Sequence, residues 1–161
     1  MKKIAICLFL CITISICVVY SKEAQSSIYT DVPSGDNMVE LLARLINAEA
    51  RGESYSGQVA VGAVIMNRVK SPLFPNTISG VIYSPGQFSS VADGQINLPV
   101  EDESIIMAAQ DAINGADPTS GALYFYNPSK TKSKWLFSLQ TVTTIGKHVF
   151  AKENWWKSLK N

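Results

Sequence analysis

Cysteine and histidine are scarce in this chain, and their scarcity narrows the chemistry that it can perform. The three cysteines lie near the start, at Cys7, Cys11 and Cys17. Residues 22–161 therefore offer no disulfide, no thiol nucleophile and no cysteine metal site. His148 is the single histidine, so a histidine cluster that binds zinc is not expected either. We predict a protein that uses no metal and no cofactor.

The chain also lacks an excess of positive or negative charge. The formal net charge is +1, and the Lys and Arg residues are scattered without a basic run, so we expect no nucleic-acid partner. The Gly-x-Ser-x-Gly pattern of a serine-hydrolase elbow does not occur. Residue counts do not exclude a Ser-His-Asp site, but the remaining chemistry must rest mainly on carboxylates.

The N-terminal residues have the pattern of a leader. Two lysines precede an apolar run from Ile4 to Tyr20, which is typical of a secretory signal peptide and near the lower limit for a membrane-spanning helix. We predict a cleaved signal over residues 1–21, with a retained membrane anchor as the alternative. We predict that this leader is followed by a polar linker over 22–36 and one domain over 37–161. Either leader places the domain outside the cytoplasmic membrane, secreted or anchored there through an N-terminal membrane contact.

An acidic residue stands on the apolar face of the first predicted helix. At about 100° per residue, positions i, i+4, i+7 and i+11 share one face. In this chain they hold Met38, Leu42, Leu45 and Glu49. Burial of that face disfavours the charged form of the Glu49 carboxyl group, and a general acid requires a protonated carboxyl group. Glu49 is therefore a candidate acid.

A structural role for Glu49 accounts for the same spacing. A glutamate on an apolar face can be neutralised by a neighbouring arginine, and Arg51 and Arg68 are the candidates. Structural ion pairs perturb carboxyl groups as catalytic sites do. The residues alone therefore leave both interpretations open.

Helical patterns dominate the first part of the domain, and strand-like segments dominate the last part. We predict helices over 37–51, 57–70, 77–83 and 101–114, a polar loop over 87–95, a strand over 122–126, and a hairpin of 140–145 with 147–151. Helices followed by a small antiparallel sheet indicate an α+β fold. The small residues Ala60, Gly62 and Ala63 predict close packing of the second helix against another element.

Four segments carry a resemblance to a known family. They read LLARLINAEARGESYSGQVAVGAVIMNRV, TISGVIYSPGQFSSVADGQI, AAQDAINGADPTSGALYFYNP and SKWLF…IGKHVFAK. Together they resemble the catalytic domain of the spore-cortex-lytic cell-wall hydrolases (SleB/CwlJ-like). The resemblance implies a lysozyme-like or lytic-transglycosylase-like fold, mainly helical with a small antiparallel sheet. It also implies peptidoglycan of the cell wall or spore cortex as the partner, and we expect a monomer.

The same resemblance implies roles for particular residues. In the wider group an essential acid ends an early helix, and Glu49 matches it by position; Glu53 could support or substitute for it. Gln87 and Phe88 resemble the segment that lines the cleft in lytic transglycosylases. The Tyr-Asn pair that contacts the sugar in that group is matched by Tyr126 and Asn127.

Further side chains are candidates for contact with sugar, each with a structural alternative. Tyr124, Tyr126 and Trp135 could offer flat surfaces to sugar rings, although buried aromatic residues usually serve packing. His148 could line the cleft or make structural hydrogen bonds. Asp93 precedes Gly94, a pair that favours a turn.

The expected reaction is cleavage of peptidoglycan between N-acetylmuramic acid and N-acetylglucosamine, with Glu49 as acid and then base, leaving a 1,6-anhydro end. One alternative is a hydrolytic muramidase in which Glu53 or Asp93 supplies a second carboxylate. A second alternative is a module that binds the wall without cleaving it.

Overall fold

A computed structural model of the chain describes residues 35–154. It contains six α-helices, one 3₁₀ turn and three strands within that range: α1 (Gly35–Ala50), α2 (Tyr55–Lys70), α3 (Ile78–Ile82), α4 (Ser89–Ala92), the 3₁₀ turn (Gln95–Asn97), α5 (Glu103–Ile113), β1 (Tyr124–Tyr126), α6 (Lys134–Ser138), β2 (Gln140–Ile145) and β3 (His148–Lys152). The predicted leader and all but the last two residues of the predicted linker lie outside the described residues. No helix within 35–154 has the length and apolar character needed to cross a bilayer.

Helix α1 presents the predicted stripe to the core. Leu42 and Leu45 are fully buried, whereas Met38 at the start of the stripe is 38% exposed. Glu49 closes the stripe and is half-buried. The helix ends at Ala50, whose carbonyl accepts a hydrogen bond from the Glu53 amide. The chain therefore turns away from the helix immediately after Glu49.

Helix α2 lies at the centre of the domain, packed against α1 and α5. Its first turn is capped by the Ser54 hydroxyl, which accepts from the Gly57 amide at 3.4 Å. A Cβ at Gly62 would lie 2.8 Å from the Ala112 Cβ, closer than real Cβ atoms approach, and 3.1 Å from the Ile46 Cδ1. The close packing predicted for the small residues of this helix is confirmed.

The three strands form one antiparallel sheet in the order β1-β3-β2. Strand β3 is central, with Phe125 of β1 opposite Phe150 on one side and Ile145 of β2 opposite His148 on the other. Gly146 makes the β2–β3 turn with φ of +58°, so the predicted hairpin about this glycine is confirmed.

Two segments differ from their sequence-based expectation. The predicted loop over 87–95 contains α4 and leads into the 3₁₀ turn. Helix α6 was not predicted; Ser133 caps it by accepting from the Leu136 amide. Both α-helices are only four or five residues long, which is too short for a helical period to show in a sequence.

Candidate active site

Two adjoining cavities form one groove beside the end of α1. Their volumes are about 460 and 310 Å³, and we call them the larger and the smaller lobe. Both lobes are lined by Ala48, Glu49, Gln95, Asn127, Lys130 and His148. The groove thus joins the end of α1, the 3₁₀ turn, the segment after β1 and the start of β3.

Glu49 lies in the last turn of α1 and faces both lobes. Its Oε1 accepts a hydrogen bond from the Ser90 hydroxyl at 2.7 Å. Within the described residues, its Oε2 has no hydrogen-bond partner and the side chain forms no ion pair. One carboxyl oxygen is therefore fixed by the protein, and the other is available to a ligand in the groove.

Arg68 does not neutralise Glu49, contrary to the structural alternative. It is 5% exposed; its Nε donates to the Leu123 carbonyl at 2.7 Å, and its Nη1 donates to the Gln87 side chain at 3.2 Å. The guanidinium carbon also lies 5.0 Å from the centre of the Phe74 ring. Burial lowers the pKa of Arg68 from its ordinary value. This cation belongs to an aromatic cluster, and the other proposed partner of Glu49, Arg51, forms no recorded ion pair in the described part of the chain.

Ser90 is a site residue that sequence reasoning missed. It lies on α4 and is 3% exposed, with its hydroxyl turned to Glu49. The segment 87–95 was recognised as rich in small hydrogen-bonding residues, which suits a substrate-binding loop. Nothing in the sequence distinguishes Ser90 from Ser89, because the contact depends on how α4 packs against α1.

Glu53 is held against the β2–β3 turn. Its Oε2 accepts from the Lys147 amide at 3.0 Å, and its Oε1 lies 3.9 Å from the His148 Nδ1. A Cβ at Gly146 would lie 2.0 Å from the Glu53 Oε2, so the backbone of the turn approaches the carboxylate closely. With its side chain 8% exposed, Glu53 joins the end of α1 to the hairpin.

His148 forms part of the groove wall at the start of β3. The residue is 8% exposed, and its ring meets the Phe125 ring edge-on with centroids 5.5 Å apart. Its buried Nδ1 has no hydrogen-bond partner among the described residues. Burial lowers the pKa of His148, an effect opposed by the charges of Glu53 and Glu49 and reinforced by those of Lys130 and Lys147. The imidazole is therefore mainly neutral at neutral pH.

Tyr126, the last residue of β1, and Asn127, which follows it, both line the larger lobe of the groove. The Asn127 Oδ1 accepts from the Ser129 amide at 2.9 Å, which fixes the turn after the strand. The Tyr126 ring meets the Phe137 ring of α6 edge-on at 5.6 Å. The structure thus brings four predicted site residues to Glu49: Glu53, Tyr126, Asn127 and His148.

Gln87 and Phe88 lie away from the groove lining. Phe88 is 7% exposed and belongs to the core, where its ring stacks on that of Phe125 at 6.3 Å. Gln87 is exposed, and its Oε1 accepts from Arg68. The substrate contacts predicted for these two residues stay predictions: in the structure the side chain of Phe88 is used in packing, and that of Gln87 holds Arg68.

Tyr124 and Trp135 also lie outside the groove lining. Their rings meet edge-on at 5.1 Å, and the Tyr124 hydroxyl donates to Glu153 at 2.7 Å. Burial, together with this hydrogen bond, raises the pKa of Tyr124 to about 12. The structure favours the packing alternative for Tyr124. Trp135 covers it and is itself 52% exposed, so it is not the core anchor that was considered.

Asp93 forms the turn that was predicted for it. Its Oδ1 accepts from the Gln95 amide at 3.1 Å, and its Oδ2 accepts from the Gln95 side chain at 2.9 Å. Gly94 follows with φ of +81°. Asp93 is not part of the groove lining, which leaves Glu49 and Glu53 as the carboxylates there.

Known proteins resemble this chain both in sequence and in fold. The spore cortex-lytic enzyme of Bacillus cereus is 52% identical over 125 residues, which cover 76% of this chain and 48% of that protein. The catalytic domain of the germination-specific lytic transglycosylase SleB from Bacillus anthracis matches with a TM-score of 0.68 and 52% identity, over 75% of this chain and 100% of that one. The catalytic domain of the Bacillus cereus SleB protein gives the same TM-score and identity, over 76% and 97%.

These matches confirm the predicted fold class, a mainly helical domain with a small antiparallel sheet. The chain spans about half the length of the curated relatives it matches. The family model described as Cell Wall Hydrolase matches residues 52–151, a stretch that contains Glu53 and His148 and begins three residues after Glu49. Because that match covers more than half of the chain, the protein belongs to the cell wall hydrolase family.

Proposed function

We propose that this protein cleaves the glycan strand of peptidoglycan between N-acetylmuramic acid and N-acetylglucosamine as a lytic transglycosylase. One observation carries the proposal: Glu49 presents an unpartnered carboxyl oxygen to a groove while Ser90 holds the other oxygen. The names of two similar proteins, a spore cortex-lytic enzyme and a lytic transglycosylase, support the same activity.

Glu49 acts twice in this reaction. The protonated carboxyl group gives its proton to the glycosidic oxygen as the bond to C1 of the muramic residue breaks. The muramic acetamido group stabilises the positive charge that develops at C1. Glu49, now a carboxylate held by the Ser90 hydroxyl, takes the proton of the muramic 6-hydroxyl. The 6-oxygen then bonds to C1, which closes the 1,6-anhydro ring without consuming water.

The surroundings of the second carboxylate favour this mechanism over hydrolysis by a two-carboxylate muramidase. Such a muramidase needs a second carboxylate that faces the sugar or a water molecule. Glu53 is instead turned towards the hairpin, where the Lys147 amide and His148 surround it. Asp93 is occupied with Gln95 in a turn. Within the described residues, Glu49 is the carboxylate that lines both lobes and keeps one oxygen without a hydrogen-bond partner.

Glu53 and His148 support the site in this proposal. Glu53 anchors the β2–β3 turn and thereby positions the His148 ring, which forms part of the wall of both lobes. Tyr126 and Asn127 contact the sugar from the end of β1, which lies beside the start of β3. Glu53 is therefore a positioning residue in the proposed reaction.

The place of action is part of the proposal. The N-terminal apolar run directs the domain across the cytoplasmic membrane, and the spore cortex is the proposed substrate because the similar Bacillus cereus protein is a spore cortex-lytic enzyme. We propose that the protein acts there as a monomer.

Digestion of purified cortex peptidoglycan followed by mass spectrometry tests the reaction. We expect products that end in 1,6-anhydro-muramic acid, and we expect Glu49→Gln to release none above background. Glu40→Gln is a matched control, because Glu40 is on the same helix, exposed, and paired with Arg44. Reducing muramic ends would replace the transglycosylase with a muramidase. Release of neither product by the parent protein would leave a wall-binding module.

A further inference from the structure

The smaller lobe of the groove is lined by three cations. Arg51 follows α1, Lys130 follows β1, and Lys147 lies in the β2–β3 turn. All three residues are exposed, and none forms an ion pair within the described residues. Three basic side chains from three separate segments therefore converge on one cavity of about 310 Å³ beside Glu49.

The acidic residues of this lobe do not balance these cations. Two carboxylates, Glu49 and Glu53, line the lobe against three cations, and the Glu53 Oε2 accepts from the Lys147 amide. The charges of Lys130 and Lys147 also lower the pKa of His148, which places them near the wall of the groove. A ligand in the smaller lobe therefore meets a positive surface.

The proposed substrate carries negative charge at one place near the cleaved bond. The two sugars have neutral hydroxyl and acetamido groups, whereas the muramic residue carries a lactyl arm on C3 that ends in a peptide with free carboxylates. The cleaved bond starts from C1 of the same ring. A muramic residue whose C1 lies at Glu49 thus places its arm within reach of a neighbouring cavity.

We propose that the smaller lobe binds a carboxylate on the lactyl arm of the muramic residue at the cleaved bond. This inference rests on the proposed function and names the substrate group that the lobe selects. Lys130 and Lys147 supply point charges, and Arg51 supplies a planar fork suited to a carboxylate. Glycan strands that carry charged arms bind better than strands of the same length with neutral arms.

The test compares Lys130→Gln/Lys147→Gln with the control Lys70→Gln/Lys132→Gln. Both double variants lose two positive charges, but Lys70 and Lys132 do not line the groove. Each protein digests soluble peptide-bearing strands and the same strands after conversion of their carboxylates to carboxamides. For the groove variant we expect KM to rise about three- to tenfold on the charged strands. We expect the ratio of its KM on charged strands to its KM on neutral strands to rise above the parent ratio, with no such change in the control.

A third substrate distinguishes the two sources of the carboxylate. Strands stripped by an amidase lose the peptide and expose the carboxylate of the lactyl arm itself. If the groove variant also raises KM on these strands, the arm carboxylate is a ligand of the lobe. If it raises KM only on peptide-bearing strands, the peptide carboxylates are the ligand.

Equal KM values of the parent on charged and neutral strands would overturn the inference, as would an equal rise on both in the groove variant. If the parent cleaves neither substrate, the proposed function fails and the inference is decided by binding. Calorimetry with a soluble peptide-bearing disaccharide then compares the parent with both double variants. Weaker binding by the groove variant alone supports the lobe as a carboxylate site, and equal or undetectable binding by all three rejects it.

Discussion

Glu49 lies in the last turn of α1 and Glu53 lies three residues after the helix ends, yet the protein treats the two carboxyl groups differently. Glu49 receives one hydrogen bond, from the Ser90 hydroxyl, and keeps its other oxygen for the groove. Glu53 receives the Lys147 amide and lies against Gly146 and His148. A carboxylate with an open oxygen can exchange a proton with a ligand, whereas one enclosed by backbone is suited to holding structure.

The largest expected effect is the loss of activity in Glu49→Gln, and it separates the role of Glu49 from that of Glu53. Glu49→Gln should lower kcat for glycan cleavage by about 10²- to 10⁴-fold, because it removes the proton donor, and should leave the melting temperature nearly unchanged. Glu53→Ala should lower the free energy of unfolding by about 1–3 kcal/mol, because the Lys147 amide loses its acceptor. Cleavage assays and thermal unfolding of both variants measure this. Similar kcat losses without a change in stability would place both carboxylates in the chemistry.

Gly146 tests how closely the hairpin must approach Glu53. Gly146→Ala adds a Cβ 2.0 Å from the Glu53 Oε2 and also strains a φ of +58°, so we expect a loss of about 1–3 kcal/mol in unfolding free energy. Gly86→Ala is the matched control, because Gly86 has φ of +73° and nothing within 4 Å of an added Cβ. Chemical denaturation measures both. Equal losses would mean that backbone strain, and not contact with Glu53, sets the cost.

A substitution at Ser90 tests the role proposed for Glu49. Ser90→Ala removes the donor to the Glu49 Oε1, and a hydrogen bond to a charged group contributes about 1.5–3 kcal/mol. In the proposed reaction Ser90 stabilises the carboxylate that develops as Glu49 gives up its proton, so we expect kcat to fall by about tenfold or more. Ser79→Ala serves as control, since Ser79 is exposed on α3 and does not line the groove. Unchanged kcat in Ser90→Ala would remove Ser90 from the proposed mechanism.

The smallest expected effect is a pH dependence of stability from His148. Burial holds the pKa of His148 below its ordinary value of 6.5. The unfolded chain therefore binds a proton at this residue more readily than the folded protein does. The stability that the neutral ring contributes is present above pH 6.5 and is lost as the pH falls through the folded-state pKa. Melting temperatures between pH 8 and 5 should therefore decline less in His148→Gln than in the parent.

The Glu53→Gln variant tests whether the charge of Glu53 contributes to this pH dependence of stability. The Glu53 charge raises the pKa of His148 against the effect of burial, so its removal should lower that pKa further. The decline in stability should then extend to lower pH than in the parent. An unchanged profile would show that the 3.9 Å approach between the two side chains does not couple them.

Sequence patterns predicted the parts of this fold that repeat over many residues. The long helices α1, α2 and α5 carry apolar or small residues at helical spacing, and their predicted bounds lie within about two residues of the observed ones. The hairpin followed from alternating residues about Gly146. Glu49 was found because a carboxylate interrupts a regular apolar stripe.

The rest depends on contacts between distant segments. Ser90 and Glu49 are 41 residues apart, and no local pattern shows that a short helix brings them together. Phe88 and Gln87 match a motif of the wider group, but packing turns Phe88 into the core and leaves Gln87 holding Arg68. A motif gives the identity of side chains, whereas their direction is set by the elements packed around them.

The strand order has a consequence for how the protein is made. Strand β3 is the last element of the described domain, yet it is the central strand of the sheet, and β1 and β2 each pair only with it. While the chain is synthesised from its N-terminus, Glu49 emerges roughly a hundred residues before the strand that completes the groove. Until β3 pairs with its two neighbours, the groove lacks the part of its wall that His148 forms, so a partly made chain carries an incomplete groove.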